Sequence, residues 1–112
     1  KFRKYLDLEN PNHICFHTGQ KIEETKLSID HVIPWSYLFS DDLWNLVYVD
    51  KSYNSSKGNK IPSEETINKL EERNYRLLDK VTQKTMSDKN TEELQLSIHN
   101  GLVKKFWIGC QG

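Results

Sequence analysis

The chain has 112 residues, which suits one small domain with a modest core and excludes two. Sixteen basic residues balance sixteen acidic ones, and 36% of the chain is hydrophobic, so it is neither a disordered polyelectrolyte nor a strongly basic binding tail. No apolar run approaches the roughly 20 residues of a membrane span, and no signal-peptide pattern opens the sequence. The chain starts at Lys1 and its single methionine is Met86, so it reads as a piece of a larger parent protein or a processed form. Cys15 and Cys110, without a secretory signal, read as reduced thiols in a cytoplasmic protein.

Residues 1–12 are expected to form a short helical or extended lead-in ending at Pro11. Residues 13–20 read as a short strand followed by a Thr18-Gly19 turn. Residues 27–33 alternate and are rich in β-branched side chains, which predicts a strand stopped by Pro34. Residues 35–44 form an aromatic loop carrying Asp41 and Asp42, and residues 46–49 are a second strand. Asp50 can cap a two-turn helix over 51–57, with Gly58 placed to end it. Pro62-Ser63 with Glu64-Glu65 opens a helix that Ile67, Leu70, Leu77, Leu78 and Val81 carry to about Lys84. Asn90 or Thr91 opens a final helix that Asn100-Gly101 ends, and Phe106-Trp107-Ile108 is an apolar tail.

The stretch Leu27-Ser-Ile-Asp-His-Val-Ile-Pro34 holds the most chemistry. Asp30 and His31 are adjacent there, and Asn45 and Asn54 follow in the second strand and short helix. Phosphodiester cleavage needs a base to deprotonate water, and histidine titrates near neutral pH. It also needs stabilisation of the phosphorane and the leaving oxygen, which a hard cation supplies. Asp30 and the Asn54 side-chain oxygen are the expected ligands, for Mg²⁺ or Mn²⁺. His31 is the expected base. Lys51, Asn54 and Lys57 lie three apart on one helix face, so the lysines suit a phosphate backbone. Asn45 is expected to bond backbone groups in the 35–44 loop and so orient His31. Neighbours in a regular strand face opposite sides, so an irregular strand end is expected just before Pro34.

The pattern Ile-Asp30-His31-Val-Ile-Pro…Leu-Trp-Asn45-Leu-Val…Tyr-Asn54-Ser-Ser-Lys57-Gly resembles the HNH nuclease family, and in particular the HNH domain of RNA-guided CRISPR nucleases and zinc-less bacterial HNH endonucleases. The resemblance covers about residues 13–65. It implies an α+β fold with a ββα-metal core and added C-terminal helices, in one domain spanning 1–112 with residues 66–112 as a helical buttress. It implies His31 as general base, Asp30 and Asn54 as metal ligands, Asn45 as the structural asparagine of the motif and Lys57 as a phosphate contact. The family's third letter is often histidine; Asn54 takes that place here, as in the CRISPR relatives. The implied substrate is DNA, with RNA left open, and the implied products carry a 5′ phosphate and a 3′ hydroxyl. Many members add two Cys-x-x-Cys pairs that hold zinc. Only Cys15 of these survives, and Asp50, Lys51 and Tyr53 stand near the second pair, so no zinc is expected.

Alone, an Asp-His dipeptide is most often a solvated or core pair; joined to Asn45 and Asn54 at this spacing, coincidence is the minor reading. His13, Cys15 and His17 alternate and are read as ordinary surface and core positions. Trp35, Trp44, Tyr48, Tyr53 and Trp107 are read as core, and Asp41 and Asp42 as solvated. Glu71-Glu72 and Arg73-Arg76 are read as a solvated helix face with intrahelical pairs. The competing functions are a non-catalytic nucleic-acid-binding module on a decayed frame and a secreted toxin nuclease.

Overall fold

A computed structural model describes residues 1–53 and 60–112. Helix α1 (Arg3–Glu9) precedes strand β1 (Leu27–His31), the short helix α2 (Trp35–Leu38) and strand β2 (Leu46–Asp50). Residues 51–53 are helical and follow β2 directly. Helices α3 (Glu64–Gln83), α4 (Lys89–His99) and α5 (Leu102–Cys110) complete the chain. The protein is therefore α+β, an antiparallel hairpin leading into a helix, with further helices packed around it.

The hairpin register runs from Leu27↔Asp50 to His31↔Leu46. Leu46, Val47, Tyr48 and Val49 are all buried, so β2 is covered on both faces, as its continuous apolar run requires. α3 joins the same core: Ile67, Leu70, Leu77 and Val81 recur at helical spacing and are almost fully buried. Each such side chain stabilises the fold by about 1.5–3 kcal/mol through apolar burial. Ser63 caps α3 by accepting from the Thr66 amide at 3.2 Å, and Glu64 and Glu65 sit in its first turn, as the sequence predicts.

Several expectations are corrected. Residues 13–20 form no strand; an isolated Ile14↔Lys21 bridge closes a tight turn in which Gly19 takes φ 74°. The aromatic loop contains α2 and a 3₁₀ turn at Leu43–Asn45. Asp88 opens α4, not Asn90 or Thr91: its carboxylate accepts from the Thr91 amide at 2.9 Å while the Thr91 hydroxyl accepts from the Asp88 amide. The apolar tail is the third C-terminal helix. Phe106 stacks on Trp44 with ring centroids 5.7 Å apart, and the Trp107 indole donates to the Pro62 carbonyl at 2.8 Å. Arg73 is not solvated but buried inside α3's packing face, and Arg76 and Glu71 pair with Glu9 and Lys104 on other helices rather than within α3.

Candidate active site

Asp30 and His31 are consecutive rungs of the hairpin, opposite Val47 and Leu46. The regular ladder therefore extends through both, and the irregular end begins only at Val32 and Ile33, where the chain bends before Pro34. His31 is the last paired residue, so its side chain leaves the sheet at the point where the backbone turns away.

Asn45 builds that turn. Its amide is fully buried and saturated: Oδ1 accepts from the Ile33 N–H at 2.8 Å and Nδ2 donates to the Ile33 carbonyl at 2.9 Å. The Asn45 carbonyl accepts from Val32 N–H at 3.0 Å. The expectation of backbone bonding is met, but the partner is Ile33 at the strand end rather than the 35–44 loop. An amide bonded at both ends in the interior is turned away from solvent and braces the strand end beside His31.

The loop it shapes returns Asp41 to His31. The His31 Nε2 lies 2.7 Å from Asp41 Oδ1, with the His31 side chain 22% exposed. Asp41 is exposed, as the sequence reading of a solvated acid expects, and it meets His31 in addition. Asp42 is tied instead to Ser40, whose hydroxyl donates to it at 2.6 Å. Nothing in the ten-residue separation of His31 and Asp41 announces the contact; the left-handed Phe39 (φ 56°) that ends α2 is what folds the loop back.

Asp50 caps the following helix as predicted, accepting from the Ser52 amide at 2.8 Å, and Lys51 is exposed at its first turn. Asn54, Lys57 and Gly58 lie outside the described residues. Asp30 offers a hard carboxylate oxygen and is half-buried, which suits a divalent cation that keeps water and phosphate oxygens in its shell. Among the described residues, no three His, Cys, Asp or Glu side chains cluster for a metal.

A cleft behind the hairpin is lined by Cys15, Thr18, Asp50 and Tyr53, so the turn after α1 and the end of β2 do converge there. Burial alone would raise the Cys15 thiol's pKa. The Thr18 hydroxyl and the backbone of Asp50, Thr18 and His17 hydrogen-bond its sulfur and bring it below the ordinary thiol value. Of the cleft's lining residues, Cys15 and Asp50 carry good zinc ligands, whereas Thr18, Gln20, Lys21, Ser52 and Tyr53 do not. His17 stacks on Tyr53 with centroids 4.5 Å apart, and His13 bridges Asp7 and Glu24 at 2.9 Å each. Trp44 and Tyr48 are core as expected, whereas Trp35 and Tyr53 are exposed, and Trp35 lies edge-on to an exposed Phe39.

The first strand of the hairpin ends in Asp-His, and a buried asparagine just before the second strand clamps that end, as the resemblance to HNH nucleases implies. Residues 15–63 match the family described as HNH endonuclease. No curated protein matches the chain.

Proposed function

We propose that the chain is a metal-dependent HNH endonuclease that hydrolyses DNA phosphodiester bonds. The observation that carries the reading is the His31–Asp41 contact of 2.7 Å at the end of the strand bearing Asp30. His31 takes the proton of the attacking water as general base, and the Asp41 carboxylate beside it stabilises the imidazolium that forms. Asn45 holds the Ile33 peptide and thereby the direction in which His31 leaves the sheet. Lys51, with Lys57, steers and seats the phosphate backbone. Asp30 and Asn54 would hold a Mg²⁺ or Mn²⁺ ion, which would supply Lewis-acid stabilisation of the developing charge on the phosphate and the leaving oxygen. The donor set is all oxygen, which favours these hard ions over zinc.

The test is nicking of supercoiled plasmid with Mg²⁺, with and without chelator, by wild type and His31→Ala. Cleavage is expected only with metal and only in wild type. Metal-dependent cleavage that survives His31→Ala refutes the mechanism, and inactivity under every divalent ion favours a binding module.

A further inference from the structure

A cavity of about 360 Å³ opens between the C-terminal end of α1, the turn that follows it, β2 and α3. It shares no residue with the His31–Asp41 site. Lys69, Arg73 and Arg76 line it from positions i, i+4 and i+7 of α3, hence from one helix face. Among the described lining residues Glu9 is the sole carboxylate, and its Oε2 accepts from Arg76 Nε at 3.2 Å.

Arg73 is only 3% exposed, and its hydrogen-bond partners are neutral. Its Nε donates to Asn74 Oδ1 at 3.0 Å and its Nη2 to the Leu43 carbonyl at 3.2 Å, and the residue lines the cavity. Burial pulls its pKa down to about 10; Glu9 opposes that pull and the nearby Arg76 adds to it. Lys69 Nζ sits 4.7 Å above the Phe16 ring, which is itself a wall of the cavity. Three cations against one carboxylate leave two positive charges in a concave, partly desolvated space. Guanidinium groups match the oxygens of a tetrahedral oxyanion in geometry as well as charge.

We propose that this cavity binds a phosphate group. The phosphate belongs either to a nucleic-acid backbone, in which case the site is a second hold on the substrate and rests on the nuclease reading, or to free inorganic phosphate. Two measurements separate the sources. The first is Tm with inorganic phosphate against chloride at matched ionic strength. The second is the affinity of a fluorescein-labelled DNA duplex in chelator, across a salt series. Both are made on wild type, Lys69→Ala, Arg76→Ala and Arg73→Met; the first two alter exposed side chains and keep the test alive should Arg73→Met not fold.

Phosphate is expected to raise the wild-type Tm by about 2–5 °C beyond chloride, and each variant to reduce the shift. If the source is nucleic acid, Lys69→Ala and Arg76→Ala each also weaken DNA binding by about 3–10-fold and lower the salt slope by about one, with kcat at saturating DNA unchanged. Loss of the phosphate shift with DNA affinity intact assigns the site to free phosphate. A wild type that shows no phosphate-specific shift and whose DNA affinity ignores all three substitutions overturns the proposal, as does a shift that survives them. His31→Ala separates the two readings, because it abolishes cleavage while leaving both binding signals in place.

Discussion

Replacing Asn45 by alanine tests the claim that a residue with no access to substrate controls the chemistry. The substitution removes two hydrogen bonds, at 2.8 and 2.9 Å, and strands the Ile33 N–H and carbonyl in the interior. Each stranded backbone group costs about 1–3 kcal/mol, so a loss of about 2–5 kcal/mol in unfolding free energy is expected. Against a typical small-domain stability of about 5–15 kcal/mol, most of the protein stays folded in the cold. Activity should fall further than stability does, because the Ile33 peptide sets the exit direction of His31, and a misplacement of ~1 Å can cost ~100-fold in rate. Urea unfolding gives the first quantity and single-turnover plasmid nicking the second. Asn45→Asp sharpens the test. Its ionised carboxylate still accepts from Ile33 N–H but repels the Ile33 carbonyl, whereas the protonated acid restores a donor, so this variant should regain stability as pH falls. An Asn45→Ala protein that loses less than about 1 kcal/mol and nicks at wild-type rate refutes the clamp.

Asp41→Asn should lower kcat by about 10-fold or more while leaving KM unchanged, since it removes the charge that stabilises the imidazolium and touches no substrate; equal losses in both parameters would instead mark Asp41 as a substrate contact. Asp30→Asn should raise the Mg²⁺ concentration needed for half-maximal nicking, read from a metal titration, without changing Tm in chelator. His13 has its pKa raised by hydrogen bonds to Asp7 and then Glu24, so its contribution to stability is complete below about pH 6.5 and is lost as pH rises through the folded value. Burial would raise the Asp7 pKa, but hydrogen bonds from Tyr48 and His13 lower it, so its contribution is present above about pH 3.9 and is lost on acidification. The Tm gap between wild type and His13→Gln should therefore be widest at about pH 4–6.5 and close toward pH 8; a gap independent of pH refutes the assignment.

The secondary structure was legible where local rules act alone. Ser63 with Glu64-Glu65 announced α3, its apolar spacing carried it to Gln83, and Asp50 capped the helix after β2. Errors came where tertiary contacts overrode local pattern. Residues 106–108 read as a tail because nothing before them resembles a helix start: Gly101, at φ 62°, both ends α4 and opens α5 without a side-chain cap. What makes the helix worthwhile is Phe106 on Trp44 and Trp107 on Pro62, contacts made 62 and 45 residues away. Arg73 was misread for the same reason. Flanked by Glu72 and Arg76 it looks like one more charge on a wet face, yet it lies one helical turn from Leu70 and Leu77 and is drawn into the core with them.

At the site, the motif spacing located Asp30, His31 and Asn45 but not what each amide and imidazole would touch. Asn45 was legible as a clamp because a polar residue opening a wholly apolar strand must find buried partners. Which partners it takes depends on where β1 ends, and the sequence placed that end two residues late: Val32 and Ile33 are as β-branched as the strand before them, but the clamp itself pulls Ile33 out of the ladder. Asp41 was illegible for a different reason. A 60%-exposed loop acid looks the same in sequence whether it faces solvent or a histidine, and the decision here is made by the left-handed turn at Phe39. A phenylalanine at positive φ costs about 1–2 kcal/mol, and the loop retains it because that turn carries Asp41 back to His31. Phe39→Gly should then stabilise the fold or leave it unchanged while preserving nicking; if instead nicking is lost with Tm intact, the exposed ring, rather than the turn, is what the loop keeps it for.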